Sequence, residues 1–563
     1  MIRIPRLFVI HLTAHQGVVE IMSHTVVHVT DPEGDFSWVE KNIKKANAAG
    51  IGIDITYNEQ GVPKLHLQPE VQYVCGGDLF GNGPQNLKLL AFFEQAQKDY
   101  PGQVVKIAGN RDIIMTRLYQ EVSDLDFIRS MIQDESEPRW IEVGKRQTFK
   151  KACEAQSLTA DTDHKALQAA YLKWALEHTM GSAKLFNSLK AEFGLHHDGE
   201  LIDALLDPDF KTRIFAHLKS CDSMCIIDQV LYSHGALTAN AFKYYGLDMQ
   251  NTSMDQFVHF ANRRYHQDLL KAEQGAYAKP GAYVKDQPEQ KIARGQLNHD
   301  ALPNTYVGHG SIVTASYEDK ENPVLPSQEV IDYLARNHVR TVIIGHKPFG
   351  DKATFLQGMS GDKAVQFILA DSQNYRQNNA TEVVWFQYHA ATQQLQAHMR
   401  ALDQRGQEWM ADYPVLQLEI QRNFVVRLLS NLWSWIVAVK DRISGHAEKP
   451  ATPLSTDTLF GPITVDRKQQ YVVGTNADGT YAAYYREGYK QMDVTYTEAE
   501  VKQHRGLVEA APAVDCASAT YTPAAEGVRQ RKTSASTADV PQLDEKSKVD
   551  AEDKKSKYGC TVS

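Results

Sequence analysis

What most constrains this chain is a set of short β-branched runs, each of which breaks off into a polar cluster. Thr25-Val-Val-His-Val-Thr30 leads into Asp31-Pro-Glu-Gly-Asp35, and Val71-Gln-Tyr-Val74 into Cys75-Gly-Gly-Asp78. Val104-Val-Lys-Ile-Ala108 leads into Gly109-Asn-Arg-Asp112, and the run Cys225 to Ser233 into His234-Gly235. Val339 to Ile344 leads into Gly345-His-Lys-Pro348, and Ala364 to Ala370 into Asp371-Ser372. Short apolar runs bounded by Gly, Asn and Asp read as buried strands. A helical stretch from Gln85 to Asp99, with Leu87, Leu90, Phe93 and Ala96 on one face, follows the second run. Pro101-Gly102 ends it. Strand, loop, helix, strand is the pattern of an α/β layered core. In such cores functional groups collect at the carboxyl ends of the strands, so the polar clusters predict one shared site.

The 563 residues allow two to four domains at about 150 residues each. Apolar residues make up 42% and charged residues 23%, which excludes collagen-like, wholly disordered and disulfide-scaffold chains. A net charge of −9 argues against a nucleic-acid binder that relies on a basic face, though not against a local patch, and no nucleic acid is expected as a partner. No apolar run reaches the roughly 18 residues of a membrane-spanning helix. The first ten residues are apolar with two arginines, but His11 breaks the run and no clean cleavage site follows, so they do not read as a signal peptide. Six irregularly spaced cysteines suit a reducing compartment, and Cys221 and Cys225 form no CxxC pair for zinc.

The core reads as two halves, 1–117 and 223–400. Residues 118–222 are helix-periodic and form an expected helical insertion, a cap near the site. A second insertion at 240–335 mixes helix (Asp255 to Ala272) with Pro/Gly-rich loop. Residues 401–447 are expected to be helical. Their end, 423–439, is strongly apolar, has two tryptophans and is flanked by Arg422, Arg427, Lys440 and Arg442; it reads as a helix packed on the core or one lying at a membrane interface. Residues 448–505 read as a small β unit with an Asn476-Ala-Asp-Gly479 turn, and 506–563 as a disordered tail.

The clusters supply carboxylates (Asp31, Glu33, Asp35, Asp78), an amide oxygen (Asn110) and imidazoles (His234, His346). Mixed carboxylate, amide and imidazole donors suit Mn, Fe or Zn better than Ca or Mg. Two such ions about 3.5–4 Å apart clamp a phosphoryl oxygen and activate water.

The ordered motifs Asp31-Pro-Glu-Gly34, Gly77-Asp-Leu-Phe-Gly-Asn-Gly83, Gly109-Asn-Arg-Asp112, Ser233-His-Gly235 and Gly345-His-Lys-Pro348 resemble those of the calcineurin-like metallophosphoesterases. The chain is similar to a branch, known from microbial eukaryotes, that carries GGDxxxxG and then GNRD and is itself similar to the Ser/Thr protein phosphatases. The resemblance spans about residues 25–390 outside the insertions. It implies a layered β-sandwich flanked by helices, and two divalent metal ions (Mn, Fe or Zn, with Mg less suited). By resemblance Asp31 binds the first metal, Asp78 bridges both, and Asn110, His234 and His346 bind the second.

The sequence departs from that family at three places. The histidine two residues after the first aspartate is Glu33, which is either a ligand through oxygen or a solvated loop carboxylate, with Asp35 as the substitute ligand. The Asp-Arg-Gly of the second motif is Gly81-Asn82-Gly83. The histidine of Gly-Asn-His is Arg111. Arginine cannot donate a proton, since its pKa exceeds about 12, but it can clamp phosphate. Arg111 and Asp112 are therefore expected at the catalytic centre, Arg111 binding phosphate and Asp112 making a backbone or supporting hydrogen bond. Lys347 is an expected substrate-binding residue, with Asp351 beside it, and Asp371 and Ser372 support the pocket. Gly308-His309-Gly310 has no strand before it and reads as a turn.

The chain ends Cys560-Thr-Val-Ser563, an imperfect C-a-a-X signal in which Thr561 is not aliphatic and the terminal serine suggests farnesylation. A single lipid gives reversible membrane attachment, and the 423–439 segment would add a second signal. The expected location is cytoplasmic, with attachment to the cytoplasmic face of a membrane through a prenylated Cys560. In a bacterial source the tail would point to a secreted effector at a host-cell membrane. The functional expectation is a metal-dependent phosphoester hydrolase acting with metal-activated water on a phosphoprotein or small phosphomonoester. The alternatives are a weakly active or inactive phosphatase-fold scaffold that binds phosphorylated partners at a membrane, and a phosphodiesterase or nucleotidase.

Overall fold

The computed structural model describes residues 23–134, 147–274, 311–319, 322–350, 352–372, 381–402, 407–418, 461–465, 468–476, 479–487 and 490–505. Two sheets form the core. The larger has eleven strands, nine of them in the order Lys490–Tyr496, Tyr481–Glu487, Lys468–Asn476, Glu408–Asp412, Gln394–Leu402, Thr381–His389, His24–Val29, Val71–Cys75 and Val104–Lys106. The smaller has five, in the order Thr354–Ser360, Lys363–Leu369, Thr341–Ile344, Val230–Ser233 and Met224–Ile227.

The central strands are buried on both faces, which explains their unbroken Val and Ile runs. Val26, Val27, Val29, Val342, Ile343 and Ile344 are all buried. The sheets meet face to face at Tyr232, whose ring lies 5.7 Å from Phe386 and 5.8 Å from His28. His24–Val29, Val71–Cys75 and Val104–Lys106 run parallel, as do Val230–Ser233 and Thr341–Ile344. Their carboxyl ends therefore open onto common edges, and the chain leaves those ends at Asp31, Asp78, Asn110, His234 and His346. The result is an α/β layered core of two sheets, flanked by helices and interrupted by a helical insertion.

Helix Phe36–Ala48 covers the larger sheet and starts at Asp35, whose Oδ1 accepts the Trp38 amide at 3.1 Å. The insertion contains helices Leu125–Met131, Phe149–Ala155, His164–His178, Leu185–Glu192, Asp198–Leu206 and Pro208–Lys219. A buried network ties it to the core. The Arg117 guanidinium donates to Glu121 at 2.8 and 2.9 Å and to Thr179 at 3.0 Å, and the Tyr171 hydroxyl donates to Glu121 at 2.8 Å.

The structure differs from the sequence reading in three places. The run Cys225 to Ser233 is two strands, Met224–Ile227 and Val230–Ser233, paired through a turn at Asp228 and Gln229, both at positive φ. The expected helix at 401–447 is strand where it is described. Gln394–Leu402, Glu408–Asp412 and Leu416–Gln417 pair in the larger sheet, because Trp409 and Ala411 alternate with exposed neighbours at period two. The strands between 461 and 496 join this same sheet through the pairing of Trp409 with Asn476. The 423–439 segment, Cys560 and the tail lie outside the described residues. Among the described residues no helix is long and apolar enough to cross a membrane.

Candidate metal centre

Each candidate ligand sits where a strand ends in a tight turn. Asp31, Glu33, Asp78 and His346 all have positive φ, at 54°, 43°, 54° and 72°. Such conformations cost non-glycine residues of order 1–3 kcal/mol and persist where surrounding structure enforces them. The glycines beside them leave no room for a side chain. A Cβ on Gly109 would collide with the Asp78 amide and carboxylate, and a Cβ on Gly345 would collide with Asp31 Oδ2 and Thr30 Oγ1. The Gly-Asn and Gly-His pairs are thus close-approach devices that let strand ends from both sheets reach one point.

Asp31, Asp78 and His234 meet there, with ligand atoms within 4.8 Å of one another, and all three are buried. Asp31 accepts the Thr30 hydroxyl at 2.6 Å and the His346 amide at 3.2 Å. Asn110 Oδ1 lies 3.0 Å from His234 Nε2 and 2.9 Å from His346 Nδ1. His234 Nδ1 donates to the Gly76 carbonyl at 2.9 Å, which fixes the tautomer and points Nε2 into the cluster. Nε2 then faces oxygen on two sides, Asp78 Oδ1 at 3.2 Å and Asn110 Oδ1. Acceptor facing acceptor needs a positive centre between them, either a proton or a metal ion.

The electrostatics point the same way. Burial lowers the His234 imidazole, but Asp78 and Asp31 outweigh it and raise its pKa to about 10. Burial raises the Asp31 carboxyl to about 7, with Asp78 adding to the effect. Burial also raises Asp78, yet His234 and Arg111 hold it below the usual carboxylate range. Burial and the nearby His234 push His346 down to about 3, leaving a neutral imidazole with a usable lone pair. This buried carboxylate–imidazole–amide set fits a borderline divalent cation, with Asp31, Asp78 and His234 as its first donors and Asn110 and His346 beside them.

Of the remaining expected residues, Glu33 and Arg111 adjoin the cluster and the others make contacts of their own. Glu33 is buried, and its Oε1 pairs with Arg111 Nη2 at 2.9 Å. Arg111 also approaches Asp78 Oδ2 through Nε at 3.3 Å and donates from Nη1 to the Gly181 carbonyl at 2.9 Å and to Ser182 Oγ at 3.3 Å. Asp112 is not aimed at the cluster. Its oxygens accept the amides of Leu79 at 2.7 Å, Phe80 at 3.2 Å and Gly109 at 2.9 Å, which locks the second and third motifs together. Asp35 caps helix Phe36–Ala48. Lys347 pairs with Glu318. Asp371 and Ser372 are buried at the end of strand Lys363–Leu369. His309 and Asp351 lie outside the described residues. No sequence signal marks the Gly181–Ser182 turn, because its approach to Arg111 depends on how the insertion folds back. The role of the Gly76 carbonyl was signalled only by the doubled glycine before Asp78.

No family model matches the chain, and no curated protein matches it. Several solved structures align with it. A cold-active protein-tyrosine phosphatase from a psychrophilic Shewanella species is 14% identical over 70% of this chain and 80% of its own, with a TM-score of 0.31. A protein serine/threonine phosphatase from Saccharomyces cerevisiae is 12% identical over 64% of this chain and 72% of its own, at 0.27. A candidate diadenosine tetraphosphatase is 11% identical over 70% of this chain and 95% of its own, at 0.24.

Proposed function

We propose that this protein is a metal-dependent phosphoester hydrolase acting on a phosphoprotein or a small phosphomonoester. The observation that carries this is the convergence of Asp31, Asp78 and His234 from three separate strand ends into one buried donor group, with Asn110 and His346 at its edge. A divalent cation held there supplies Lewis-acid polarisation of a phosphoryl oxygen and of water. The chain's own groups do the rest. The Gly76 carbonyl holds the His234 ring so that Nε2 faces the centre. Thr30 and the His346 amide fix the rotamer of Asp31. Arg111, rigidly held beside Asp78, places a permanent positive charge where negative charge develops on phosphorus-bound oxygen. Because Arg111 cannot deliver a proton, activated leaving groups are favoured.

The test is hydrolysis of p-nitrophenyl phosphate by chelated protein to which manganese is restored. Mn-dependent turnover that Asp31→Asn abolishes supports the reading. Cation binding without turnover on any phosphoester would favour the scaffold alternative. Faster turnover of bis-p-nitrophenyl phosphate would favour the phosphodiesterase. Attachment through a prenylated Cys560 remains part of the proposal, and mass spectrometry of the C-terminal peptide checks it.

A further inference from the structure

Two of the departures from the metallophosphoesterase pattern touch each other. Glu33 stands where that pattern has a metal-binding histidine, and Arg111 where it has the histidine of Gly-Asn-His. The two side chains form an ion pair at 2.9 Å, and both are largely shielded from solvent. The same guanidinium lies 3.3 Å from Asp78 Oδ2, while the Arg111 backbone amide donates to Asp78 Oδ1 at 2.8 Å. The carboxylates that would enclose a first cation together with Asp31 are therefore bridged by an arginine. Among the described residues, the donor group whose atoms cluster within 4.8 Å contains Asp31, Asp78 and His234 and does not contain Glu33.

We infer that the centre takes one divalent cation, held by Asp31, Asp78 and His234 with Asn110 and His346 beside it, and that Arg111, positioned by Glu33 and by the Gly181–Ser182 turn, is the built-in second positive charge. The inference rests on the hydrolase reading of this site and narrows it from two cations to one.

Electrostatics support it. Glu33 and Asp78 are buried carboxylates and Arg111 already sets one positive charge against both, so a second cation there would compete with the guanidinium for the same oxygens. Uncompensated buried charge is strongly unfavourable. The planar fork of arginine suits this place, because it can address Glu33 and Asp78 with different nitrogens while Nη1 reaches the insertion. Glu33 is then a positioning residue acting through Arg111. The helical insertion takes part in the centre through Gly181 and Ser182, and Ser182 is itself buried.

The experiment uses the full chain, stripped with chelator, dialysed against manganese chloride and measured by elemental mass spectrometry. The expected stoichiometry is one manganese per chain. Arg111→Met is expected to raise it to two by freeing Glu33 and Asp78, and adding Glu33→Gln to that variant is expected to return it to one. Paramagnetic resonance of the loaded wild type gives a check that needs no variant, since an isolated Mn(II) ion shows its own hyperfine pattern and an adjacent pair shows exchange coupling. Two manganese ions with exchange coupling in the wild type, or Arg111→Met folding normally yet staying at one, overturns the inference while leaving hydrolysis intact. No manganese bound at all removes the hydrolase reading together with it.

Discussion

Nε2 of His234 stands 3.2 Å from Oδ1 of Asp78, and the Gly76 carbonyl behind the ring holds it there. The pair spans the two sheets at the point where their parallel strands end, so the charge state of one imidazole bears on a contact between the two halves of the core.

That relationship sets a pH dependence. In cation-free protein His234 has its pKa raised from 6.5 to about 10, by Asp78 and Asp31 acting against burial. A folded pKa above the unfolded one gives stability that is full below the unfolded pKa and is lost as pH rises through the folded value. The melting temperature of chelated protein should therefore fall as pH rises from 6.5 towards 10, with the fall suppressed by manganese. At about pH 8 cation uptake must displace the His234 proton, so calorimetry in buffers of different ionisation enthalpy should show about one proton released per cation. No release would mean that His234 is not a ligand.

Gly345 decides whether Asp31 can hold its place, since a Cβ there would run into Asp31 Oδ2 and Thr30 Oγ1. Gly345→Ala is expected to weaken manganese binding at least tenfold, about 1.4 kcal/mol. Titration calorimetry reads this directly, and unchanged affinity would show that the close approach of Gly345 to Asp31 does not matter to cation binding.

Asp112 has a structural task. Asp112→Ala removes the acceptor for the amides of Leu79, Phe80 and Gly109. Leaving buried donors unpaired should destabilise the fold by about 3 kcal/mol. A shift of the urea midpoint to lower denaturant checks it, and an unshifted midpoint contradicts it.

Asp35 separates a cap from a ligand. Asp35→Ala should cost about 1 kcal/mol of stability through loss of the N-cap to Trp38. Manganese affinity should stay unchanged, and a loss of affinity would restore Asp35 as a ligand.

The Arg117–Glu121 pair anchors the insertion. Glu121→Ala strands a buried guanidinium and should cost about 3–5 kcal/mol. Thermal unfolding measures it, and an unshifted melting temperature would show that the network is not structural.

The local chemistry of this protein was legible in its sequence. Period-two and β-branched runs named the buried strands, and the glycine-bounded clusters named Asp31, Asp78, Asn110, His234 and His346, because a strand that ends in a tight turn is a short-range event. The same logic failed at 401–418, where a helix was expected but the residues alternate at period two and pair as strands inside the larger sheet. It also left the run from Cys225 to Ser233 as a single strand, whereas Asp228 and Gln229 take left-handed backbone in a hairpin turn that divides it. Partnership was decided by tertiary structure. Glu33 read as a ligand or a loop carboxylate until the fold set it against Arg111, and Asp112, expected to make a backbone or supporting hydrogen bond, has its three amide partners named only by the fold. Which charge meets which is a matter of distances across many residues of chain, and those distances exist only once both sheets and the insertion have packed.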